Sequence, residues 1–267
     1  MDVIKVNDLV TGYEKKIIID DLSLGIKKGA ITTIIGENGS GKSTFLKTIG
    51  RIIKPKTGQI TVNELNVHKT KTEAIAKVIG LLPQSPKAPA GLSVVEIVEY
   101  GRFPHKKGRG KLTKEDHEIV EWALKSTDLL EFKDRNINAL SGGQRQRVWI
   151  ALVLAQQTEV ILLDEPTTYL DMAYQLEVLQ LVQKLNRERE ITVVMVLHDI
   201  NQASRFSDDL ILLRDGKIVA QGSPKETMTA DNLRAVFDIE ATMMNIPGTE
   251  NPICVSYELL RGDADGA

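Results

Sequence analysis

Residues 31–50 read "ITTIIGENGSGKSTFLKTIG". The opening "ITTIIG" is apolar and β-branched, which predicts a strand buried on both faces. The closing "FLKTIG" reads as a helix. Between them, Gly36–Thr44 match G-x-x-x-x-G-K-[ST] in full. A strand, a glycine-rich turn and a helix start in that order make a phosphate cradle. Gly36, Gly39 and Gly41, with Asn38 and Ser40 between them, let successive backbone N–H groups turn toward an anion. The helix N-terminus adds partial positive charge. Lys42 is placed to reach β- and γ-phosphates, the Ser43 hydroxyl to bind Mg²⁺, and Thr44 to support the cradle.

Working outward, four more short apolar runs predict strands: "VIGLLPQ" (78–84), "VILLDE" (160–165), "TVVMVLH" (192–198) and "LILLRDG" (210–216). Met172, Leu176, Leu179, Val182 and Leu185 predict one helical face between two of them. Strands alternating with helices imply a parallel sheet covered by helices. Ligands of such sheets bind at the C-terminal edge of the strands. Asp164 and Glu165 stand there, Asp164 as a direct or indirect Mg²⁺ ligand and Glu165 as a base for water attacking a γ-phosphate. Beside a complete phosphate loop, this reading outweighs that of a solvated turn. His198 ends the next strand and is placed to bond the γ-phosphate or to hold Glu165 and its water. Gln84 ends a further strand, and its amide oxygen suits Mg²⁺ or water. Tyr13, in "TGYEKK", either stacks on adenine or serves as an ordinary hairpin tyrosine. His68, His105 and His117 show no metal-ligand spacing.

Two regions depart from the alternation. The first 30 residues and "GQITVNELNV" (58–67) read as hairpins, hence an antiparallel β part. Residues 86–157 lack strand runs. They show helical spacing at Val94, Val95, Ile97 and Val98 and again at Ile119, Trp122, Ala123 and Leu124. This helical insertion contains "LSGGQRQR" (140–147), which looks like a second phosphate-binding helix start, but without a lysine. The expected organisation is an ATP-binding core of 1–85 and 158–222, a helical subdomain of 86–157 and a C-terminal extension of 223–267. In the extension Ser223, Pro224 and Glu226 predict a capped helix, and "RGDADGA" a disordered tail.

The chain has 267 residues, 42% of them hydrophobic and 26% charged, and a net charge of −2. That balance gives no reason to expect nucleic acid as a partner. A lone cysteine, Cys254, cannot form an internal disulfide or a cysteine metal site. "MDVIKVNDLV" has no signal-peptide pattern, and no run reaches the roughly 18 apolar residues of a membrane span.

The ordered set of Tyr13, "GENGSGKST", Gln84, "LSGGQRQR", "VILLDEP", Asp171 and His198 resembles the ATP-binding subunits of ABC transporters over nearly the whole chain. The resemblance implies a P-loop NTPase core with a mostly parallel sheet, an N-terminal antiparallel β subdomain and a helical insertion carrying the signature. It implies ATP and Mg²⁺ as ligands and two copies packed head to tail around two ATP molecules. Ser141, Gly142, Gly143 and Gln144 of one copy would then meet the γ-phosphate or ribose held by the other copy's Lys42 loop, with Asp171 linking the sites. "TTYLD" (167–171), "GRFPH" (101–105) and "LHDINQASRFSDDLILLRDGKIVAQGSP" (197–224) resemble the branch importing ferric siderophores, haem or cobalamin, and 82–105 the siderophore ATPases most. The expected setting is the cytoplasmic face of the cell membrane, peripheral, on integral permease subunits served by an extracellular binding protein. Residues 86–105, Arg102 among them, are expected to touch the permease. A soluble ABC ATPase is disfavoured by the single cassette and lack of a coiled-coil insertion. A P-loop kinase is disfavoured by the signature and His198.

Overall fold

The computed structural model describes residues 1–89, 91–106, 110–246 and 251–260. β1 (Asp2–Tyr13) and β2 (Lys16–Lys27) form the first hairpin. β3 (Ile31–Ile35) runs through the glycine loop into α1 (Lys42–Ile49). β4 (Thr57–Val62) and β5 (Leu65–Asn66) form the second hairpin and complete an antiparallel sheet of order β2-β1-β4-β5. After α2 (Thr72–Ala76) and β6 (Ile79–Leu82) comes a helical stretch. It holds α3 (Val94–Glu99), a 3-10 segment (Tyr100–His105), α4 (Lys114–Ser126) and α5 (Gly142–Ala155).

The chain then returns to the main sheet through β7 (Val160–Asp164), α6 (Met172–Arg189), β8 (Thr192–Val196), α7 (Ile200–Phe206), β9 (Asp209–Arg214) and β10 (Lys217–Gly222). This sheet has the order β10-β9-β3-β8-β7-β6. β3, β6, β7, β8 and β9 pair in parallel, and β10 joins β9 antiparallel. The fold is α/β, with a mostly parallel sheet beside the antiparallel one.

Every residue of β3, β7 and β8 is buried. The two-residue period of a strand then feeds two cores. Ile34, Leu162 and Val194 pack with Phe45, Leu46 and Ile49 of α1 and with the antiparallel sheet. Ile35, Leu163, Val193 and Met195 pack with α5, α6 and α7. The sheet is thereby clamped on both faces, and the loops at its C-terminal edge stand on a rigid support.

The helices start where side chains cap them. Ser93 with Glu96, Thr113 with Asp116, and Ser141 with Gln144 form reciprocal capping boxes. α8 (Pro224–Thr227) starts as expected, with Glu226 accepting from the Ser223 N–H and hydroxyl. Beyond it, α9 (Ala230–Phe237) is followed by a hairpin of β11 (Ile239–Met244) and β12 (Ile253–Leu259), which the sequence reading did not anticipate. Cys254 is buried in this hairpin. The tail "RGDADGA" lies outside the described residues.

Two expectations are corrected. Met172 does not join the buried face of α6, being 76% exposed. The buried stripe is Val178, Leu179, Val182, Leu185 and Asn186, so the first turn of α6 stands clear of the core. Arg102 is not available to a permease. It is 4% exposed, and its Nε donates to Asp116 Oδ1 at 2.8 Å. Its Nη1 donates to the Ala155 carbonyl at 2.7 Å, which pins a cation at the last turn of α5.

Candidate active site

The phosphate loop leaves β3 at Gly36. A Cβ there would lie 2.0 Å from the Leu213 carbonyl oxygen, so the close approach to β9 excludes any side chain. Gly41 has φ +106° and forms the N-cap of α1 without a side-chain bond. With no side-chain cap, the first N–H groups of α1 have no intrahelical partner. Asn38 and Gly39 lie exposed at its crest, while Ser40 and Thr44 are buried. Lys42 is 5% exposed, and its ammonium donates to the Gly36 and Glu37 carbonyls at 2.8 and 2.7 Å. Burial pushes that ammonium below its ordinary pKa, against the pull of Glu165, Asp164 and Glu37.

Opposite the loop, β7 ends in two carboxylates with different surroundings. Asp164 is 1% exposed and its Oδ1 accepts from the Ser43 hydroxyl at 2.8 Å. Asp164 Oδ2 is buried with no hydrogen bond, and Lys47 Nζ lies 3.5 Å from it. An orphaned carboxylate oxygen beside a hydroxyl fits a divalent cation. No cluster of three acidic, histidine or cysteine side chains able to hold a metal occurs among the described residues. A cation at Ser43 and Asp164 would therefore complete its shell with uncharged side-chain oxygen, phosphate and water.

Glu165 turns out of the strand with φ +53°, a strained conformation for glutamate. Its carboxylate is held by three side chains. Gln84 Nε2 donates to Oε2 at 2.5 Å, the Thr168 hydroxyl donates to Oε2 at 3.0 Å, and His198 Nε2 lies 2.8 Å from Oε1. Glu165, Thr168 and His198 line a cavity of about 290 Å³ with Gln175 and Gln202. The structure thus brings Lys42, Ser43, Gln84, Asp164, Glu165 and His198 to one edge of the sheet. Thr168 and Lys47 were missed. The signal for Thr168 was a hydroxyl three residues past the carboxylate, in a turn that its N–H closes onto the Glu165 carbonyl at 3.3 Å.

Tyr13 ends β1 with half its surface exposed. The second glycine-rich start is organised differently. Ser141 Oγ accepts from the Gln144 N–H at 3.2 Å and Gln144 Oε1 from the Ser141 N–H at 3.0 Å. Gly143 lies under Tyr174, where a Cβ would come 2.5 Å from the ring. Gly142 is exposed, with Leu170 alongside. Asp171 caps α6, its Oδ1 accepting from the Tyr174 N–H at 3.1 Å. The signature therefore packs against the loop and helix containing Asp171. Among the described residues, no hydrogen bond or ion pair links 140–147 to 36–44 of the same chain.

A glycine-rich loop between a buried strand and a helix, facing a paired Asp-Glu edge with a histidine on the next strand, defines a P-loop ATPase cassette. Residues 19–168, more than half of the chain, match the ABC transporter family, and the chain belongs to that family. It is 49% identical over 265 residues to the iron(3+)-hydroxamate import ATP-binding protein FhuC of Bacillus subtilis (strain 168), covering 99% of this chain and 98% of that one. It is 42% identical to the ferric enterobactin transport ATP-binding protein FepC of Escherichia coli (strain K12), covering 92% and 91%. Among solved structures, cbiO1 of Clostridium perfringens, part of the ABC transporter complex cbiONQ, superposes with TM-score 0.77 at 29% identity, covering 88% and 96%. A dimeric post-hydrolysis state of the ATP-binding cassette MJ0796, bound to ADP and Pi, superposes with TM-score 0.70 at 35% identity, covering 82% and 98%.

Proposed function

We propose that this chain is the ATP-binding and hydrolysing subunit that energises a membrane importer of ferric siderophores. The observation that carries the hydrolytic part is the Glu165 carboxylate, fixed by Gln84, Thr168 and His198 beside the phosphate loop. The names of the relatives support the siderophore part.

In this reading the core of 1–85 and 158–222 holds ATP, with Tyr13 against adenine and the Gly36–Thr44 loop around the phosphates. Lys42 exchanges its loop carbonyls for β- and γ-phosphate oxygens. Ser43 and Asp164, with the Gln84 amide oxygen, hold Mg²⁺, whose charge offsets that of the phosphates. Glu165 takes the proton of the attacking water as the new P–O bond forms and the bond to the β–γ bridging oxygen breaks, leaving ADP and phosphate. His198 keeps that carboxylate in line. Ser141, Gly142, Gly143 and Gln144 serve the site of a second copy. Their helix presents its N-terminus to that copy's γ-phosphate, and Asp171 holds the signature's neighbour in place. The helical subdomain of 86–157 meets the permease subunits at the cytoplasmic face of the membrane, through 86–105 without Arg102. An extracellular binding protein delivers the chelate. Hydrolysis then separates two cassettes that ATP had joined, because ATP makes its contacts to the signature only in the joined state.

Uptake of labelled ferric hydroxamate and ferric catecholate by cells lacking the gene tests this. The wild-type gene should restore uptake of one chelate and Glu165→Gln should not. Uptake restored equally by Glu165→Gln, or unaffected by the deletion for every ferric chelate, would contradict it.

A further inference from the structure

Asn201 and Gln202 are adjacent amides on α7, three and four residues past His198. They point to different partners. The Asn201 carboxamide acts as a strand would on the edge of β12: its Nδ2 donates to the Cys254 carbonyl at 2.9 Å, and its Oδ1 accepts from the Cys254 N–H at 2.8 Å. One turn on, the wholly buried Ser204 hydroxyl donates to the Pro252 carbonyl at 2.7 Å, and Asn251 Nδ2 donates to the Ser204 carbonyl at 2.7 Å. On the other side, Gln202 Nε2 donates to Gln175 Oε1 at 2.7 Å, and Gln175 Nε2 donates to the Leu170 carbonyl at 2.9 Å. Gln175 and Gln202 also line the cavity that holds Glu165 and His198.

α7 has seven residues. A helix that short does not hold its shape alone, so its core packing at Ala203 and Phe206 seats it and its side-chain ties set its direction. One tie runs to the C-terminal hairpin and the other to the loop before Asp171. His198 lies between α7 and the buried end of β8, so its ring inherits the direction of α7. The hairpin thereby has a task that its distance in sequence conceals.

We infer that Asn201 and Gln202 are positioning residues for His198, and that the β11–β12 hairpin is, through Asn201, part of the hydrolytic apparatus. The inference rests on the roles proposed above for Glu165 and His198. Neither amide touches ATP or Glu165; each acts through α7.

Steady-state MgATP hydrolysis by the full-length chain tests it, with thermal midpoints alongside. Asn201→Ala and Gln202→Ala should each lower kcat about tenfold or more, since misplacement of a reacting group can cost on the order of 100-fold. KM for ATP should not move, because Tyr13 and the Gly36–Thr44 loop do not depend on α7. Asn201→Asp, which sets a carboxylate oxygen against the Cys254 carbonyl in place of the donating amide, should lose at least as much as Asn201→Ala. Wild-type kcat in both alanine variants overturns the inference. So do kcat and KM moving together in step with a lowered Tm, which mark a purely structural role. If Asn201→Ala does not fold, Gln202→Ala and Asn201→Asp decide alone. Glu165→Gln run in parallel separates the two levels. If it is inactive while the amide variants are normal, only this inference fails; if it turns over normally, the proposed site fails and this inference with it.

Discussion

Residues 36–44 and 140–147 both open a helix with glycines, and the glycines are there for different physical reasons. Gly41 holds φ +106°, and Gly36 has no room for a Cβ against the Leu213 carbonyl, so the first loop curls into a closed cradle around a buried lysine. At the second start neither Gly142 nor Gly143 is in the left-handed region. The backbone is ordinary helix, capped by Ser141 and Gln144. Gly143 makes space for Tyr174, and Gly142 leaves the helix end bare. One loop folds around a lysine of its own chain; the other begins its helix at a surface where Gly142 is exposed. A glycine-rich motif therefore has to be read by what its glycines do as well as by its letters.

The largest effects should fall at the first loop and its carboxylate. Glu165→Gln should slow hydrolysis by roughly 10²–10⁴-fold, as loss of a general base does, while ATP still binds. Lys42→Ala should instead weaken ATP binding by about 1.5–3 kcal/mol, the worth of a hydrogen bond to a charged group. Titration with a fluorescent ATP analogue separates the two; equal binding by wild type and Lys42→Ala would break the contrast.

Next come the glycines. Gly41→Ala and Gly143→Ala should each cost roughly 1–3 kcal/mol, the first from backbone strain and the second from overpacking. Denaturant midpoints distinguish the causes. Tyr174→Ala should rescue Gly143→Ala, whereas Ile18→Ala should not rescue Gly41→Ala. Rescue at both or at neither means that the glycines do one job.

Ser141→Ala should cost about 1 kcal/mol of stability through the lost cap. It should leave ATP binding by the isolated chain unchanged and reduce the ATP-bound dimer that Glu165→Gln accumulates on sizing. Weaker binding by the monomer would place the signature in its own chain's site.

A further effect, read through pH, concerns the anchoring of the signature helix at its far end. Burial alone would raise the Asp116 carboxyl, but the Thr113 N–H and hydroxyl and the Arg102 guanidinium outweigh it and hold the pKa at about 2. A carboxyl lowered by folding contributes stability above its unfolded pKa and loses it as pH falls. The stability gap between wild type and Asp116→Asn, measured by denaturant midpoint, should therefore be constant above about pH 4 and shrink toward pH 2. A gap that widens on acidification would reverse the assignment.

Local pattern carried most of the core into view. The strands at 31–35, 160–164 and 192–196 were legible because burial on both faces leaves an unbroken apolar run. The capping boxes and the phosphate loop were legible because each is closed within a few residues. Arg102 was misread because its partners, Asp116 and Ala155, are brought to it by α4 and α5, and nothing in "GRFPH" records them. Met172 has the spacing of the buried face, but α6 overhangs the core at its first turn. In the β11–β12 hairpin, β11 alternates over only six residues and β12 is almost wholly exposed, so little apolar pattern marks it. Thr168 sat unnoticed in a polar loop until the turn closed it on Glu165.

The most direct test of a site shared between two chains is complementation between Lys42→Ala and Ser141→Arg. Each variant alone should hydrolyse ATP poorly, because every site of its dimer is spoiled. In a mixed dimer, the intact phosphate loop of the Ser141→Arg chain faces the intact signature of the Lys42→Ala chain. Mixing the two inactive proteins should therefore restore hydrolysis, whereas activity no higher than the average of the separate proteins would contradict the shared site.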